Sequence, residues 1–129
     1  MLSENKKNEL IEQARNASQK AYAPYSGFKI GAALLTKDGK VFQGCNVENA
    51  SYSMTICAER NAAFQAIAGG SHEFAAIAIY ADSDKAFPPC GACRQVLAEF
   101  AQDMLVFIVN QTSTHETTLS QLLPERFSL

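Results

Sequence analysis

Apolar residues recur with a helical period in some segments of this chain and with a strand pattern in others. Ser3 can cap a helix that runs from about Glu4 to Tyr22. Residues 29–36 (KIGAALLT) are typical of a strand, and the Asp-Gly pair in 37–40 predicts a hairpin to a partner strand over 41–46. Further helices are predicted over 57–68 and 91–101, strands over 74–81 and 105–110, a short edge strand within 112–118 and a last helical turn over 119–123.

This order of elements predicts the fold class. Strand–helix–strand repeats favour parallel pairing with right-handed crossovers, and the opening hairpin adds an antiparallel strand. We therefore expect an α/β protein, a three-layer α-β-α sandwich around one mixed sheet of about five strands. Because no linker, repeat or low-complexity stretch interrupts the 129 residues, we expect a single domain over residues 1–129.

Composition and charge narrow the class of protein. With 47% hydrophobic residues and a net charge of −2, the chain is expected to fold rather than to remain disordered. No apolar run is long enough to span a bilayer, and residues 1–7 lack a signal-peptide pattern, so we expect a cytoplasmic protein without a membrane partner. Basic residues cluster little, which favours a small ligand over a nucleic acid polymer.

The cysteines give the first indication of chemistry. Cys90 and Cys93 begin a predicted helix and lie on one side of its first turn. Alone, this pair is compatible with a redox dithiol, a metal site or two inert thiols. Cys57 also begins a predicted helix, and crossover helices between parallel strands start at the same sheet edge. Three converging thiolates leave one open position in a tetrahedral zinc shell, as in catalytic zinc sites.

A carboxylate stands next to the first of these cysteines. Glu59 follows Cys57 by two residues, near enough to move protons at the open position. Together with the later Pro-Cys-x-x-Cys of residues 89–93, this spacing is the pattern of the zinc deaminases. Three thiolates give the site a charge of −1, and Arg60 or Arg94 could offset it by donating hydrogen bonds to the sulfurs.

Other residues that bind metals elsewhere are expected to take no part. Cys45 is predicted to be a buried thiol away from the metal, and His72 and His115 are predicted to be surface residues. Two alternatives remain at this point: a zinc-stabilised binding protein, against which Glu59 argues, and a metal-free redox protein that uses Cys90 and Cys93.

At these residues the sequence resembles the cytidine deaminase family, in its small homotetrameric, zinc-dependent form. The likeness covers nearly the whole chain and is carried by residues 21–26 (AYAPYS), 44–50 (GCNVENA), 57–60 (CAER), 89–95 (PCGACRQ) and 122–124 (LLP). It implies one cytidine deaminase-like catalytic domain over 1–129, a hydrolase that converts cytidine and 2′-deoxycytidine to uridine and 2′-deoxyuridine plus ammonia in pyrimidine salvage. An aminonucleoside-antibiotic deaminase is the nearest alternative, and a polynucleotide-editing deaminase is disfavoured by the charge.

The resemblance also implies a role for each site residue. One Zn²⁺ per subunit would be held by Cys57, Cys90 and Cys93, and its hydroxide would attack C4 of the pyrimidine while Glu59 shuttles protons. Arg60 would hydrogen-bond the thiolates. The substrate-binding residues would be Asn46 and Glu48 at the ribose 3′-hydroxyl, Phe28 on the nucleoside, the Ala58 backbone against the base, and Tyr52 and Phe127 from a neighbouring subunit of a homotetramer.

Two of these assignments also have support from the residues themselves. A ribose hydroxyl both donates and accepts hydrogen bonds, so Asn46 and Glu48 are complementary partners that face one way on an extended segment. The alanines of the predicted helix 57–68 could pack against another subunit, or they could simply face the sheet.

Overall fold

The fold is an α/β arrangement of five strands and four α-helices, taken from a computed structural model that describes residues 2–129. The elements in chain order are α1 (Glu4–Ser18), β1 (Ile30–Thr36), β2 (Val41–Cys45), α2 (Ala58–Ala68), β3 (Phe74–Ala81), α3 (Gly91–Glu99), β4 (Leu105–Val109), β5 (Thr114–Thr118) and α4 (Leu119–Leu122), with one 3₁₀ turn at Tyr52–Met54.

The strands form one mixed sheet in the order β2-β1-β3-β4-β5. β1 pairs antiparallel with both β2 and β3, β3 pairs parallel with β4, and β5 is an antiparallel edge strand. Because β1 is antiparallel to both of its neighbours, β2 and β3 run in the same direction. The helices α2 and α3 therefore both begin at the sheet edge where the parallel strands end. The predicted mixed sheet is confirmed, although β3 and β4 are its one adjacent parallel pair within residues 2–129.

Alternate strand residues point to two separate cores. Ala33, Leu35, Ala78, Tyr80 and Phe107 pack on the side of α1, together with its Leu10 and Ala14. Ala32, Leu34, Ile77, Ile79, Val106 and Ile108 pack on the other side, against the buried faces of α2, α3 and α4. This period of two produces the expected three layers, with the sheet in the middle.

The first helix is shorter than its periodicity predicts. Its start is as expected, because the Ser3 hydroxyl oxygen accepts a hydrogen bond from the Lys6 amide at 3.1 Å. It ends at Ser18 rather than near Tyr22, so the predicted end was wrong. The Tyr22 amide instead donates to the Asn46 carbonyl at 3.0 Å, and this pairing with the segment after β2 competes with continuation of the helix.

Small residues bring α2 unusually close to the sheet. A Cβ atom on Gly44 would collide with backbone atoms of Ala58 and Ala62, so only glycine allows this distance between β2 and α2. Ala62, Ala63 and Ala66 are fully buried in the core of the single chain. These alanines therefore face the sheet and do not pack against another subunit. None of the helices within residues 2–129 combines the length and the apolar character that crossing a membrane requires.

Candidate metal centre and surrounding pocket

Three cysteine sulfurs meet at the sheet edge where α2 and α3 begin. Cys57 is the N-cap of α2, Cys90 is the N-cap of α3, and Cys93 lies in the first turn of α3. The Cys57 and Cys90 Sγ atoms are 4.0 Å apart, and those of Cys90 and Cys93 are 3.5 Å apart. All three sulfurs lie within 4.8 Å of one another. The two crossover helices thus bring together thiols that are more than thirty residues apart in sequence.

These sulfur positions fit a zinc ion. A tetrahedral shell with Zn–S bonds of about 2.3 Å places neighbouring sulfurs roughly 3.8 Å apart, and the two measured separations, 4.0 and 3.5 Å, lie on either side of that value. An all-thiolate donor set is one that zinc favours over magnesium or calcium. Cys57 is half-buried and Cys90 is exposed, which gives a metal ion and a further ligand access to the cluster.

An arginine compensates the negative charge of this cluster. The Arg60 Nη2 donates to the Cys57 Sγ at 3.4 Å, and within residues 2–129 its buried Nε has no hydrogen-bond partner. A hydrogen bond with Cys93, together with the guanidinium of Arg60, lowers the pKa of Cys57 to about 5. The same contact with Cys57 raises the pKa of Cys93. At least one of the sulfurs is therefore a thiolate at neutral pH, as metal binding requires.

Arg94, the other candidate for this role, has different partners. Its side chain donates to the Pro89 carbonyl and to the Leu122 carbonyl, each at 2.7 Å. It therefore ties the segment before Cys90 to the end of α4, and it donates to none of the three cysteine sulfurs.

The carboxyl group of Glu59 is buried in the first turn of α2, next to the sulfur cluster. Glu59 is 5% exposed, and the helix begins one residue earlier at the fully buried Ala58. Burial raises the pKa of Glu59 to about 7, and the negative charge of Cys57 adds to the effect. A carboxyl group with this pKa exchanges its proton readily near neutral pH, which is the property required of a general acid and base.

Backbone pairing brings two further segments beside Cys57. Val47 and Ile56 exchange two hydrogen bonds, of 2.9 and 3.0 Å, so the segment after β2 lies against the residue that precedes Cys57. The Glu48 amide donates to the Tyr22 carbonyl at 2.8 Å on the other side of the same segment. Residues 46–48 are thus held between the chain after α1 and the start of α2.

Asn46 and Glu48 both turn their side chains toward residues 25–30. The buried Asn46 accepts from the Ile30 amide at 2.9 Å and donates to the Phe28 carbonyl at 2.8 Å. The Glu48 carboxylate accepts from the amides of Tyr25 and Ser26 at 2.9 and 3.1 Å and from the Ser26 hydroxyl at 2.5 Å. This last hydrogen bond is the main reason why the pKa of Glu48 lies below its ordinary value. Both side chains therefore brace this loop, and each keeps hydrogen-bonding capacity for a ligand.

Phe28 lies at the end of this loop and packs on a residue that the sequence analysis did not select. Its ring centroid is 4.8 Å from that of Phe87, with an angle of 55° between the planes. Phe87 precedes Pro88, Pro89 and Cys90. The one sequence signal for Phe87 was an aromatic residue in a polar loop just before the cysteine pair. Its contact with Phe28 could not be predicted, because the two residues are far apart in the sequence.

The remaining two predicted residues are large aromatic side chains on the surface. Tyr52 is 75% exposed and its ring meets that of Tyr25 edge-on, with 6.3 Å between the centroids. Phe127 is 68% exposed, and its carbonyl accepts from the Gln95 side chain at 3.1 Å. The chain after α4 is also held by Arg126, whose guanidinium donates to backbone carbonyls at and after the end of α3. Phe127 is thereby fixed against α3 with its side chain facing outward.

Cys45 is not part of the sulfur cluster, as predicted, but it is half-buried where the sequence predicted a buried thiol. Partial burial raises the pKa of its thiol. His72 and His115 are both exposed.

A cavity of about 280 Å³ adjoins Glu48, between Tyr25 and Tyr52. A larger one of about 720 Å³ lies between α1 and β5 and contains none of the cysteines, so cavity size alone does not identify the site.

Comparison with known proteins agrees with this geometry. Residues 4–109 match the family model for the cytidine and deoxycytidylate deaminase zinc-binding region. The chain is 50% identical over 121 residues to a cytidine deaminase of Sporosarcina psychrophila, and the alignment covers 92% of this chain and 89% of the relative. It is 51% identical over 121 residues to the cytidine deaminase of Halalkalibacterium halodurans, which covers 92% of each chain.

A solved structure supports the same assignment. The crystal structure of cytidine deaminase from Burkholderia pseudomallei superposes with a TM-score of 0.89 at 49% identity, over 98% of this chain and 100% of the other. The three-sulfur cluster lies within the matched zinc-binding region, so zinc is the cofactor that this protein uses. By its sequence, its fold and the sulfurs gathered at the starts of α2 and α3, this chain belongs to the cytidine deaminase family.

Proposed function

We propose that this protein is a cytidine deaminase, which hydrolyses cytidine and 2′-deoxycytidine to uridine and 2′-deoxyuridine and releases ammonia. The observation that carries the proposal is the position of Glu59, a 5%-exposed carboxyl group in the first turn of the helix that Cys57 begins. A structural zinc site has no use for a buried acid at this place, whereas hydrolysis of an aminopyrimidine needs a group that moves protons.

The zinc ligands in this proposal are Cys57, Cys90 and Cys93, one ion per subunit. The sulfur separations described above support this set, and three protein ligands leave one coordination position open. A bound zinc ion supplies Lewis acidity and lowers the pKa of water, so that water becomes a nucleophile at neutral pH. Arg60 hydrogen-bonds the Cys57 thiolate and offsets the charge of −1 that three thiolates give to the site.

Glu59 performs the proton transfers of the reaction. Its carboxylate takes a proton from the water that attacks C4 and delivers it to N3 of the pyrimidine. It then takes the remaining proton from the new oxygen and gives it to the exocyclic amino group, so that the C4–N bond breaks and ammonia leaves. The net change is the addition of one water and the loss of one ammonia, and Glu59 returns to its starting state.

The nucleoside is bound by residues of the loop beside α2. Asn46 and Glu48 form hydrogen bonds with the ribose 3′-hydroxyl, and Phe28 packs on the nucleoside. The backbone of Ala58 lies against the base. This assignment is supported by the Val47–Ile56 pairing, which holds residues 46–48 next to the start of α2. Aromatic contact with a base contributes about 1–3 kcal/mol and is tolerant of base identity.

We further infer a homotetramer in which subunits share their active sites. Tyr52 and Phe127 are aromatic side chains that stay mostly exposed in the single chain, and aromatic residues are enriched at protein–protein interfaces. In this proposal both side chains reach the site of a neighbouring subunit. Residues 1–129 act as a single catalytic domain. The enzyme acts in pyrimidine salvage in the cytoplasm. The four free cysteines support this location, because the cytoplasm keeps thiols reduced.

A nucleoside panel with and without a zinc chelator tests the activity. We expect cytidine and 2′-deoxycytidine to lose their amino group, and the chelator to abolish turnover in a way that added zinc reverses. Glu59→Gln should keep the zinc and the fold but lose about 10²–10⁴-fold in kcat. Glu99→Gln makes the same chemical change at an exposed position of α3 and should leave kcat unchanged. Near-normal turnover by Glu59→Gln would eliminate the proposed proton transfers.

Sedimentation of the purified protein tests the shared sites. Phe127→Ala is expected to weaken the tetramer and to reduce activity with it, whereas full activity in a monomeric wild-type protein would contradict the roles of Tyr52 and Phe127.

A further inference from the structure

The ring of Phe87 is the aromatic partner of Phe28, and Phe28 is the residue to which the proposed function gives the nucleoside contact. We propose that Phe87 is a positioning residue for nucleoside binding, which acts by holding the Phe28 ring in the orientation that packs on the substrate. This inference rests on the proposed function, and it adds a residue to which no role has been assigned above.

The backbone of Phe28 is fixed by contacts that leave its ring free to rotate. The Phe28 carbonyl accepts from the Asn46 side chain at 2.8 Å, and its amide donates to the Ser26 hydroxyl at 3.0 Å. Neither hydrogen bond restrains the side-chain torsions of Phe28. The Phe87 ring restrains these torsions by direct packing, with 4.8 Å between the two ring centroids and 55° between the planes. The Lys85 ammonium lies 5.8 Å from the Phe28 centroid.

The loop that carries Phe87 is itself held at its beginning. The Asp82 amide donates to the Lys29 carbonyl at 3.0 Å, which joins the loop to the residue next to Phe28. The buried Asn110 side chain donates to the Asp84 carbonyl at 3.0 Å. Gln111 adds a backbone hydrogen bond to the Ser83 carbonyl and a side-chain hydrogen bond to the Asp82 carboxylate, at 3.1 and 3.0 Å.

The other end of this loop is equally constrained. Pro89 is fully buried, and its carbonyl accepts from the Arg94 guanidinium at 2.7 Å. Phe87 therefore lies between two fixed points of the loop, which keep its backbone near Phe28 so that the two rings can pack. Because Cys90 follows three residues later, the same loop supports both the sulfur cluster and the wall of the nucleoside pocket.

This geometry predicts a defect in binding rather than in chemistry. Tilted aromatic pairs contribute enough for their loss to change an affinity by about 2- to 10-fold. Without the Phe87 ring, Phe28 would sample several rotamers, and each binding event would have to select one of them. Phe87 has no group that can transfer a proton or bind a metal, so the chemical step should proceed at its normal rate once substrate is bound.

The test compares Phe87→Ala with two other variants in steady-state kinetics on cytidine. Phe87→Ala should raise KM by about 2- to 10-fold, while kcat stays within about two-fold of wild type and the zinc content is unchanged. Phe87→Tyr keeps the ring and should restore KM to within about two-fold of wild type. Phe100→Ala is the matched control, because it removes a similar tilted pair, with Phe74, at the far end of α3. It should lower thermal stability without raising KM.

A double-mutant cycle with Phe28→Ala supplies the decisive comparison. If Phe87 acts through Phe28, adding Phe87→Ala to Phe28→Ala should weaken the binding of uridine, measured by calorimetry, by less than about two-fold. A wild-type KM in Phe87→Ala, or fully additive losses in the cycle, would overturn the inference even though the enzyme is active. If Phe87→Ala does not fold with zinc bound, Phe87→Leu takes its place with the same expectations. Absence of cytidine turnover in the wild-type protein would instead refute the proposed function.

Discussion

Replacing Gly44 by alanine tests whether the close approach of α2 to the sheet sets the geometry of the site. The added Cβ would lie 2.5 Å from the Ala58 carbonyl oxygen and also collide with the Ala62 backbone nitrogen. Both obstacles are backbone atoms of α2, so a side-chain rotation cannot relieve them. Since ordinary contacts begin at 3.4 Å and the Ala62 nitrogen is the nearer of the two atoms, α2 has to retreat by about 1 Å. It would carry Cys57, Ala58 and Glu59 with it.

This retreat has a cost in stability and a larger one in rate. Overpacking a well-packed contact costs about 1–3 kcal/mol, and the lower chain entropy of alanine offsets about 0.4–1 kcal/mol of it. A net loss of about 1–2 kcal/mol corresponds to a decrease in Tm of roughly 5 °C for a chain of this size. A misplacement of about 1 Å between reacting groups lowers the rate by about 100-fold. The variant should thus be folded at 25 °C and yet nearly inactive.

Calorimetry and steady-state deamination of cytidine measure the two effects. Gly31→Ala is the matched control, because its Cβ would collide with the backbone of Ala14 and Ser18 in α1, on the opposite face of the sheet. It should destabilise the protein at least as much, since its closest backbone contact is the tighter one, and leave kcat of the folded enzyme within about three-fold of wild type. If Gly44→Ala keeps the Tm and kcat of wild type, the contact between β2 and α2 does not determine the position of Glu59.

Three other outcomes follow from the site and from the chain after α3. Chelation of zinc should lower Tm by about 10 °C, because an ion present at 1,000 times its Kd contributes about 4 kcal/mol, and an unchanged Tm after verified zinc loss would contradict this. Arg60→Gln should raise the pKa of Cys57 in the metal-free protein by about one unit, read from thiolate absorbance against pH, and no change would show that the guanidinium does not stabilise that thiolate. Hydrogen bonds, first of all from the Ser120 hydroxyl, hold the pKa of Asp103 below its ordinary value of 3.8. The ionised carboxylate therefore stabilises the folded protein above that pH, and this contribution is lost as the pH falls through the lower pKa of the folded state. In urea titrations Asp103→Asn should lose about 0.5–1 kcal/mol at pH 7 and decline less steeply than wild type in acid, and parallel curves would argue against the role of this carboxylate.

Local patterns in the sequence were sufficient for most elements. β3 has the predicted bounds, 74–81, because a buried strand is specified by an uninterrupted apolar run. The hairpin is specified by Asp38 and Gly39, whose φ of +86° suits glycine. The end of α1 was mispredicted, since the pairing of Tyr22 with Asn46 depends on a segment more than twenty residues away.

The chemistry of the site was largely decided by the sequence itself. Cys57, Glu59, Cys90 and Cys93 each lie at a helix start, where spacing alone specifies which side chains share a turn, and parallel crossovers return both helix starts to one sheet edge. Other features depend on contacts between distant segments and exist only in the folded chain. These features are the different hydrogen-bond partners of Arg60 and Arg94, the burial of Glu59, the contact of Gly44 with α2, and the packing of Phe28 on Phe87. The physical reason is that helix starts and ligand spacing are short-range properties of the backbone, whereas burial and ring packing are set by residues that the sequence does not place side by side.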